Sequence, residues 1–121
     1  MPKTVFIIDD DVSLQMVLGI VLKQAGYQVE LASDGEEGLE RLATLRPDVV
    51  ISDVMMPHVD GVQFFRQIQE RLSYEGVPII IITALNRKPW FADLEAEGAV
   101  ILHKPFNVDR LVSLIDMYVA D

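Results

Sequence analysis

The sequence predicts an α/β fold: a doubly wound, five-stranded parallel sheet with five helices on both faces. Three observations carry that prediction. Short apolar runs and amphipathic stretches alternate five times along the chain. Two of the runs, Val49-Val50-Ile51-Ser52 and Pro78-Ile79-Ile80-Ile81-Ile82, are almost continuously apolar, as strands covered on both faces must be. Polar residues collect where the runs end, which is where open α/β sheets hold their ligands.

The elements follow in order. Thr4-Val5-Phe6-Ile7-Ile8 is a β-branched and aromatic run, hence strand 1, and it ends in Asp9-Asp10-Asp11. These acids lie at the start of a helix, where they suit its dipole. That helix carries Leu14, Val17, Leu18, Val21 and Leu22 at helical spacing and stops at Gly26. Gln28 to Ala32 alternates and fits an edge strand with one wet face. Ser33-Asp34-Gly35 turns into a second helix with Leu39, Leu42 and Leu45, closed by Pro47. Strand 3 starts near Asp48 and runs to Asp53. After a loop ending at Asp60-Gly61, a third helix places Val62, Phe65, Ile68 and Leu72 on one side, and Gly76 stops it. Strand 4 ends at Thr83. Pro89 suits the first turn of a short fourth helix, which ends by Gly98. Ala99 to His103 is strand 5, broken by Lys104-Pro105. Asn107 caps a last helix with a stripe of Leu111, Leu114, Ile115 and Tyr118.

At 121 residues the chain is read as one domain, residues 1–121, long enough to bury a core. Ten basic against 19 acidic residues give a net charge of −9, which disfavours direct binding to nucleic acid or an anionic membrane. Without cysteine, no disulfide framework, thiolate zinc site or Cys nucleophile is available. No apolar run approaches a membrane span, and Met1-Pro2-Lys3-Thr4 has no signal-peptide pattern, so a cytoplasmic location is expected.

The chemistry lies at the strand ends. A parallel sheet puts them on one edge, so Asp9, Asp10, Asp53, Thr83 and Lys104 converge on one crevice. Two unit charges about 4 Å apart repel by about 4 kcal/mol at an effective dielectric near 20. Three carboxylates therefore need compensation. Lys104 supplies one positive charge, and a divalent cation would supply the rest. An oxygen-only ligand set suits Mg²⁺ better than zinc. Asp53, with its charge so balanced, is a candidate nucleophile toward phosphorus, and Thr83 and Lys104 are placed to bond the transferred phosphoryl oxygens. Taken singly these residues have plainer readings: helix capping for Asp9-Asp10, a turn for Asp53, β-propensity for Thr83, a solvated loop for Lys104. Their joint placement favours the site.

At these residues the chain resembles the response-regulator receiver domains of two-component signalling, chemotaxis receivers among them, over nearly its whole length. The resemblance rests on Ile7-Ile8-Asp9-Asp10-Asp11, Asp53-Val54-Met55-Met56-Pro57 with Asp60-Gly61, Thr83-Ala84, and Lys104-Pro105-Phe106. It implies the flavodoxin-like strand order 2-1-3-4-5. It implies that Asp53 accepts a phosphoryl group from a sensor histidine kinase or phosphotransfer protein. It further implies Mg²⁺, with Mn²⁺ as a substitute, held by Asp9, Asp10, Asp53 and the backbone carbonyl of Met55. Thr83 and Lys104 would contact the phosphoryl group, and the Lys104–Pro105 bond would be cis. Phosphorylation would change the binding of a downstream protein or output domain through the strand 4–helix 4–strand 5 face.

The sequence also departs from the family pattern. The family places a Tyr or Phe three residues before the lysine, and here Ile101 stands there. The switch is therefore expected to be muted or to run through Thr83 and the loop from Ala84 to Lys88. Met55 and Leu85 are apolar and are expected to hinder the hydrolytic water, lengthening the life of phospho-Asp53. Asn86-Arg87-Lys88-Pro89-Trp90-Phe91 reads either as a partner-facing surface or as core packing by Phe91 and Trp90. His58 and His103 lack a partnered spacing for metal. Two other functions are open to such a residue set. An aspartyl-phosphate hydrolase would want an Asp, not Met55, two residues past Asp53. A docking domain with a weak or absent phosphorylation switch draws support only from Ile101. The domain is therefore expected to turn over no metabolite.

Overall fold

The computed structural model describes residues 2–54, 61–84 and 88–119. Among them, five parallel strands alternate with five helices. The elements are β1 (Thr4–Ile8), α1 (Val12–Gln24), β2 (Gln28–Ala32), α2 (Gly35–Leu42), β3 (Val49–Asp53), α3 (Gly61–Tyr74), β4 (Ile79–Thr83), α4 (Pro89–Ala96), β5 (Ala99–His103) and α5 (Val108–Val119). The sheet order is β2-β1-β3-β4-β5, as the resemblance implied. Register is set so that Ile8 lies beside Ser52, Asp53 beside Ile82 and Thr83 beside His103. The strands therefore finish on one edge.

Every residue of β3 and β4 is buried, because helices cover both faces. Alternate side chains enter two separate cores. Phe6, Ile8, Val50 and Ile81 join Leu42, Phe64, Phe65, Ile68, Leu72 and Leu94, from α2, α3 and α4. Val5, Ile7, Val49, Ile51, Ile80 and Ile82 join Leu18, Leu22, Leu111 and Ile115, from α1 and α5. The layers approach tightly at Gly38 of α2, where a Cβ would lie 3.0 Å from the Phe64 ring and 3.1 Å from Ile8. Helix ends are defined chemically. Asp11 and Asp34 cap α1 and α2, and Asn107 Oδ1 accepts from the Asp109 amide at 2.8 Å. Gly76 and Gly98, after α3 and α4, adopt positive φ, which suits only a residue without Cβ.

Four expectations need correction. Val17 is half exposed, and the polar Gln15 is buried in its stead. The helical wheel shows an apolar residue, not its orientation, and α1 is apolar on several sides. α2 ends at Leu42, so Leu45 lies outside it and reaches the core from the following turn. Phe64, fully buried, was missing from the α3 stripe. Tyr118 is 44% exposed, leaving Leu111 and Ile115 as the buried anchors of α5. At α4, Phe91 is fully buried and Trp90 packs partly against the core, as the packing reading held. Among the described residues no helix is long and apolar enough to cross a membrane.

Candidate functional site

Asp53 is the last residue of β3 and is 7% exposed. Its neighbour across the sheet is Asp9, the residue after β1, which is 2% exposed. The β1–β2 ladder continues one step past the strand, because the Asp9 amide donates to Ala32 O at 3.1 Å. That bond fixes the Asp9 backbone. Its carboxylate is fixed in turn by the Asp11 amide, which donates to Oδ1 at 2.8 Å. Asp11 serves α1 as well, accepting from the Leu14 amide at 3.1 Å. Asp10 points outward into solvent. One carboxylate oxygen each from Asp9, Asp10 and Asp53 lie within 4.8 Å of one another.

The opposite charge arrives from β5. The Lys104 amide donates to Thr83 O at 2.7 Å, extending the β4–β5 ladder beyond the strand. Its ammonium then donates to Asp53 Oδ2 at 2.9 Å. Thr83, fully buried, ends β4 between them. The Lys104–Pro105 bond is cis. Five of the predicted residues thus occupy one edge: Asp9, Asp10, Asp53, Thr83 and Lys104.

The electrostatics show what this crowding costs. Burial pushes the Asp9 carboxyl up to about 6. The Asp11 amide pulls it down, while the charge of Asp53, and more weakly that of Asp10, pushes it further up against the pull of Lys104. Burial alone would lower the Lys104 ammonium. The hydrogen bond to Asp53, together with the charges of Asp53, Asp9 and Asp11, outweighs it, so the ammonium is held above its ordinary range. Among the described residues, one ammonium against three carboxylates leaves the cluster short of positive charge. Its donors are all hard oxygens, one of them open to solvent, and that set fits a hard divalent cation.

Sequence reasoning missed Gln15. Its side chain lies inside α1's contact with the sheet, 7% exposed, and Nε2 donates to both Asp9 O and Ala32 O at 2.7 Å. It ties the ends of β1 and β2 together directly behind Asp9. The available signal was a polar residue at a position one turn before Leu18 and Gly19, both buried. Ile101 packs partly buried against the α2–α3–α4 core. His103 is exposed, with its ring 5.7 Å from that of Phe91, and stands apart from the carboxylates. The expectations placed on Met55 and its carbonyl, on His58, on Leu85 and on Asn86-Arg87 fall outside the described residues.

Known proteins resemble this chain in sequence and in fold. The family model for the response regulator receiver domain matches residues 5–116. Response regulator MprA of Mycolicibacterium vanbaalenii is 39% identical over 114 residues, covering 93% of this chain and 48% of MprA. The chain thus spans about half the length of that relative. Chemotaxis protein CheY4 of Vibrio cholerae superposes with a TM-score of 0.85 at 33% identity, over 98% of this chain and 99% of the other. TrrA of Thermotoga maritima, solved in complex with Mg²⁺ and beryllofluoride, superposes with a TM-score of 0.81 at 27% identity, over 96% and 98% of the two chains. The family model over residues 5–116 and the likeness in sequence and fold over nearly the whole chain agree: this protein belongs to the response regulator receiver domains of two-component signalling.

Proposed function

We propose that residues 1–121 form a single phosphorylation-controlled binding module in which Asp53 is the phosphate acceptor. The observation that carries this reading is the Lys104 Nζ–Asp53 Oδ2 ion pair, set beside Asp9 and Asp10 at a buried strand end. A carboxylate oxygen of Asp53 attacks phosphorus as the bond to the donor's imidazole nitrogen breaks. The donor is the phosphohistidine of a sensor histidine kinase or phosphotransfer protein. Lys104 offsets the charge of the phosphoryl oxygens, and the Thr83 hydroxyl donates to one of them. Asp9 and Asp10, with Asp53 and the carbonyl of Met55, would hold Mg²⁺, or Mn²⁺ in its place. Bound there, the cation supplies the charge neutralisation that lets an anionic phosphoryl group approach three carboxylates.

The output is a change in binding at the face formed by β4, α4 and β5, toward a downstream protein or an output domain. With Ile101 packed against the core, that change runs through Thr83 and the chain after it. The module acts in the cytoplasm, without direct contact to nucleic acid or membrane, and modifies only itself. Incubation with Mg²⁺ and acetyl phosphate, followed by intact mass measurement, tests the reading. The wild type should gain one phosphoryl group and Asp53→Asn none. Addition to the variant, or multiple turnover of phosphate esters, contradicts it.

A further inference from the structure

A cleft of about 460 Å³ opens beside the acceptor site. Its walls are apolar: Leu14 from α1, Pro105 and Phe106 after β5, and Val108 at the start of α5, with Ala84 after β4 between them. Leu14, Phe106 and Val108 also pack against the α1–α5 core, so the walls are fixed from behind. Two charged residues border it, Asp11 and Lys104. Lys104 is the link. Its side chain lines the cleft, and its ammonium ends on Asp53.

We propose that this cleft is a leaving-group subsite that selects phosphodonors with an apolar leaving group. The proposal rests on Asp53 being the phosphate acceptor. In-line displacement puts the leaving group on the side of phosphorus away from the attacking oxygen. Behind Asp53 lies the fully buried β3, so the leaving group must face outward. Among the described residues it meets there the exposed carboxylates of Asp10 and Asp11 and, between Asp11 and Lys104, the apolar cleft. The carboxylates repel an anionic leaving group, whereas a ring or alkyl chain can shed water against Leu14, Phe106 and Val108. The volume is within the range of small-molecule sites. With an acyl phosphate the transfer balances simply. An Asp53 oxygen bonds phosphorus, the bond from phosphorus to the acyl carboxylate oxygen breaks, and its electron pair leaves with that carboxylate. No proton moves.

Benzoyl phosphate and acetyl phosphate test this, each with Mg²⁺ and read by intact mass over time. Filling the cleft with Leu14→Trp should slow labelling by benzoyl phosphate about tenfold and labelling by acetyl phosphate less than twofold. Each donor is its own control for intrinsic reactivity. Equal slowing of both, or of neither, overturns the proposal. A second measurement needs no variant: phenylphosphonate should inhibit labelling by acetyl phosphate at about one-tenth the concentration that methylphosphonate requires. Equal potency overturns the subsite while leaving Asp53 as the acceptor. Failure of either donor to label the wild type, or labelling of Asp53→Asn, overturns the acceptor reading and the subsite with it.

Discussion

The two ends of the parallel sheet hold carboxylates under opposite conditions. Where the strands begin, Asp48 stands just before β3. Its Oδ2 accepts from the Thr4 amide at 2.7 Å, and its own amide donates to Thr4 O at 2.8 Å. That carboxylate joins two strands and meets a backbone donor. Where the strands finish, Asp9 and Asp53 are almost wholly buried beside Asp10, with one ammonium among them. Those carboxylates crowd each other, and the Asp11 amide and the Lys104 ammonium offset only part of the cost. The same side chain stabilises the fold at one end and strains it at the other. The difference marks the finishing edge as the place where stability has been given up for chemistry.

Removing the Lys104 cation should have the largest effect. In Lys104→Met the stem is kept and the ammonium that bonds Asp53 is lost. Phosphorylation by acetyl phosphate in Mg²⁺ should slow by about 10²–10³-fold, the usual cost of deleting one donor aimed at developing charge. A time course of intact mass checks it. A rate within threefold of wild type would erase the contrast between the two ends.

Asp9→Asn should raise stability. An ordinary aspartate titrates near 3.8 and Asp9 near 6 in the folded protein, so its stabilising contribution is complete below about pH 4. It is lost as pH rises through 6, because the unfolded chain ionises first. Above that the ionised Asp9 costs about 3 kcal/mol. In chelator-treated protein at pH 7.5, Asp9→Asn should therefore unfold at higher temperature than wild type, and the two should converge near pH 4. Added Mg²⁺ should raise the wild type and barely move the variant. Thermal scans at both pH values decide it. A variant less stable than wild type at pH 7.5 would place the strain elsewhere.

Gln15→Leu should cost about 2 kcal/mol, since it strands the buried Asp9 carbonyl without its side-chain donor. Ala32 O keeps the Asp9 amide and should matter less. Because the lost bond lies directly behind Asp9, the variant should also need more Mg²⁺ for half-maximal labelling, a readout that a purely structural glutamine would leave unchanged. Urea unfolding and a Mg²⁺ titration measure the two effects.

How much of this was legible in the sequence follows from the range of the interactions. The β3 and β4 runs could be read because strands covered on both faces admit little that is polar in their interiors, and the one hydroxyl there, that of Ser52, donates to Asp53 O. The strand-end residues could be read because parallel topology alone brings them together. Strand order came from the motifs, since alternation of strands and helices fits more than one winding. The depth of Phe64 and the exposure of Val17 and Tyr118 depend on how each helix is rotated on the sheet. In α1, which carries apolar side chains on several faces, sequence periodicity does not set that rotation. Gln15 was invisible for a related reason. Its partners are backbone carbonyls of β1 and β2, and backbone carbonyls leave no mark in a sequence.

The smallest effect belongs to the beginning of the sheet and completes the contrast. Asp48→Ala removes the acceptor for the Thr4 amide and keeps the backbone bond from Asp48 N to Thr4 O. The site is only half buried, so water replaces much of the lost bond, and the cost should be about 1 kcal/mol. The sign is the test. A half-buried carboxylate that meets a backbone donor should be missed when removed, whereas removal of the charge of Asp9, buried beside other carboxylates, should be welcomed. Labelling of Asp53 and its Mg²⁺ dependence should match wild type, because Asp48 lies at the opposite end of β3. Urea unfolding with and without Mg²⁺ should give the same difference from wild type in both. A stabilised variant would mean that carboxylates strain both ends of the sheet alike, and the finishing edge would lose its distinction.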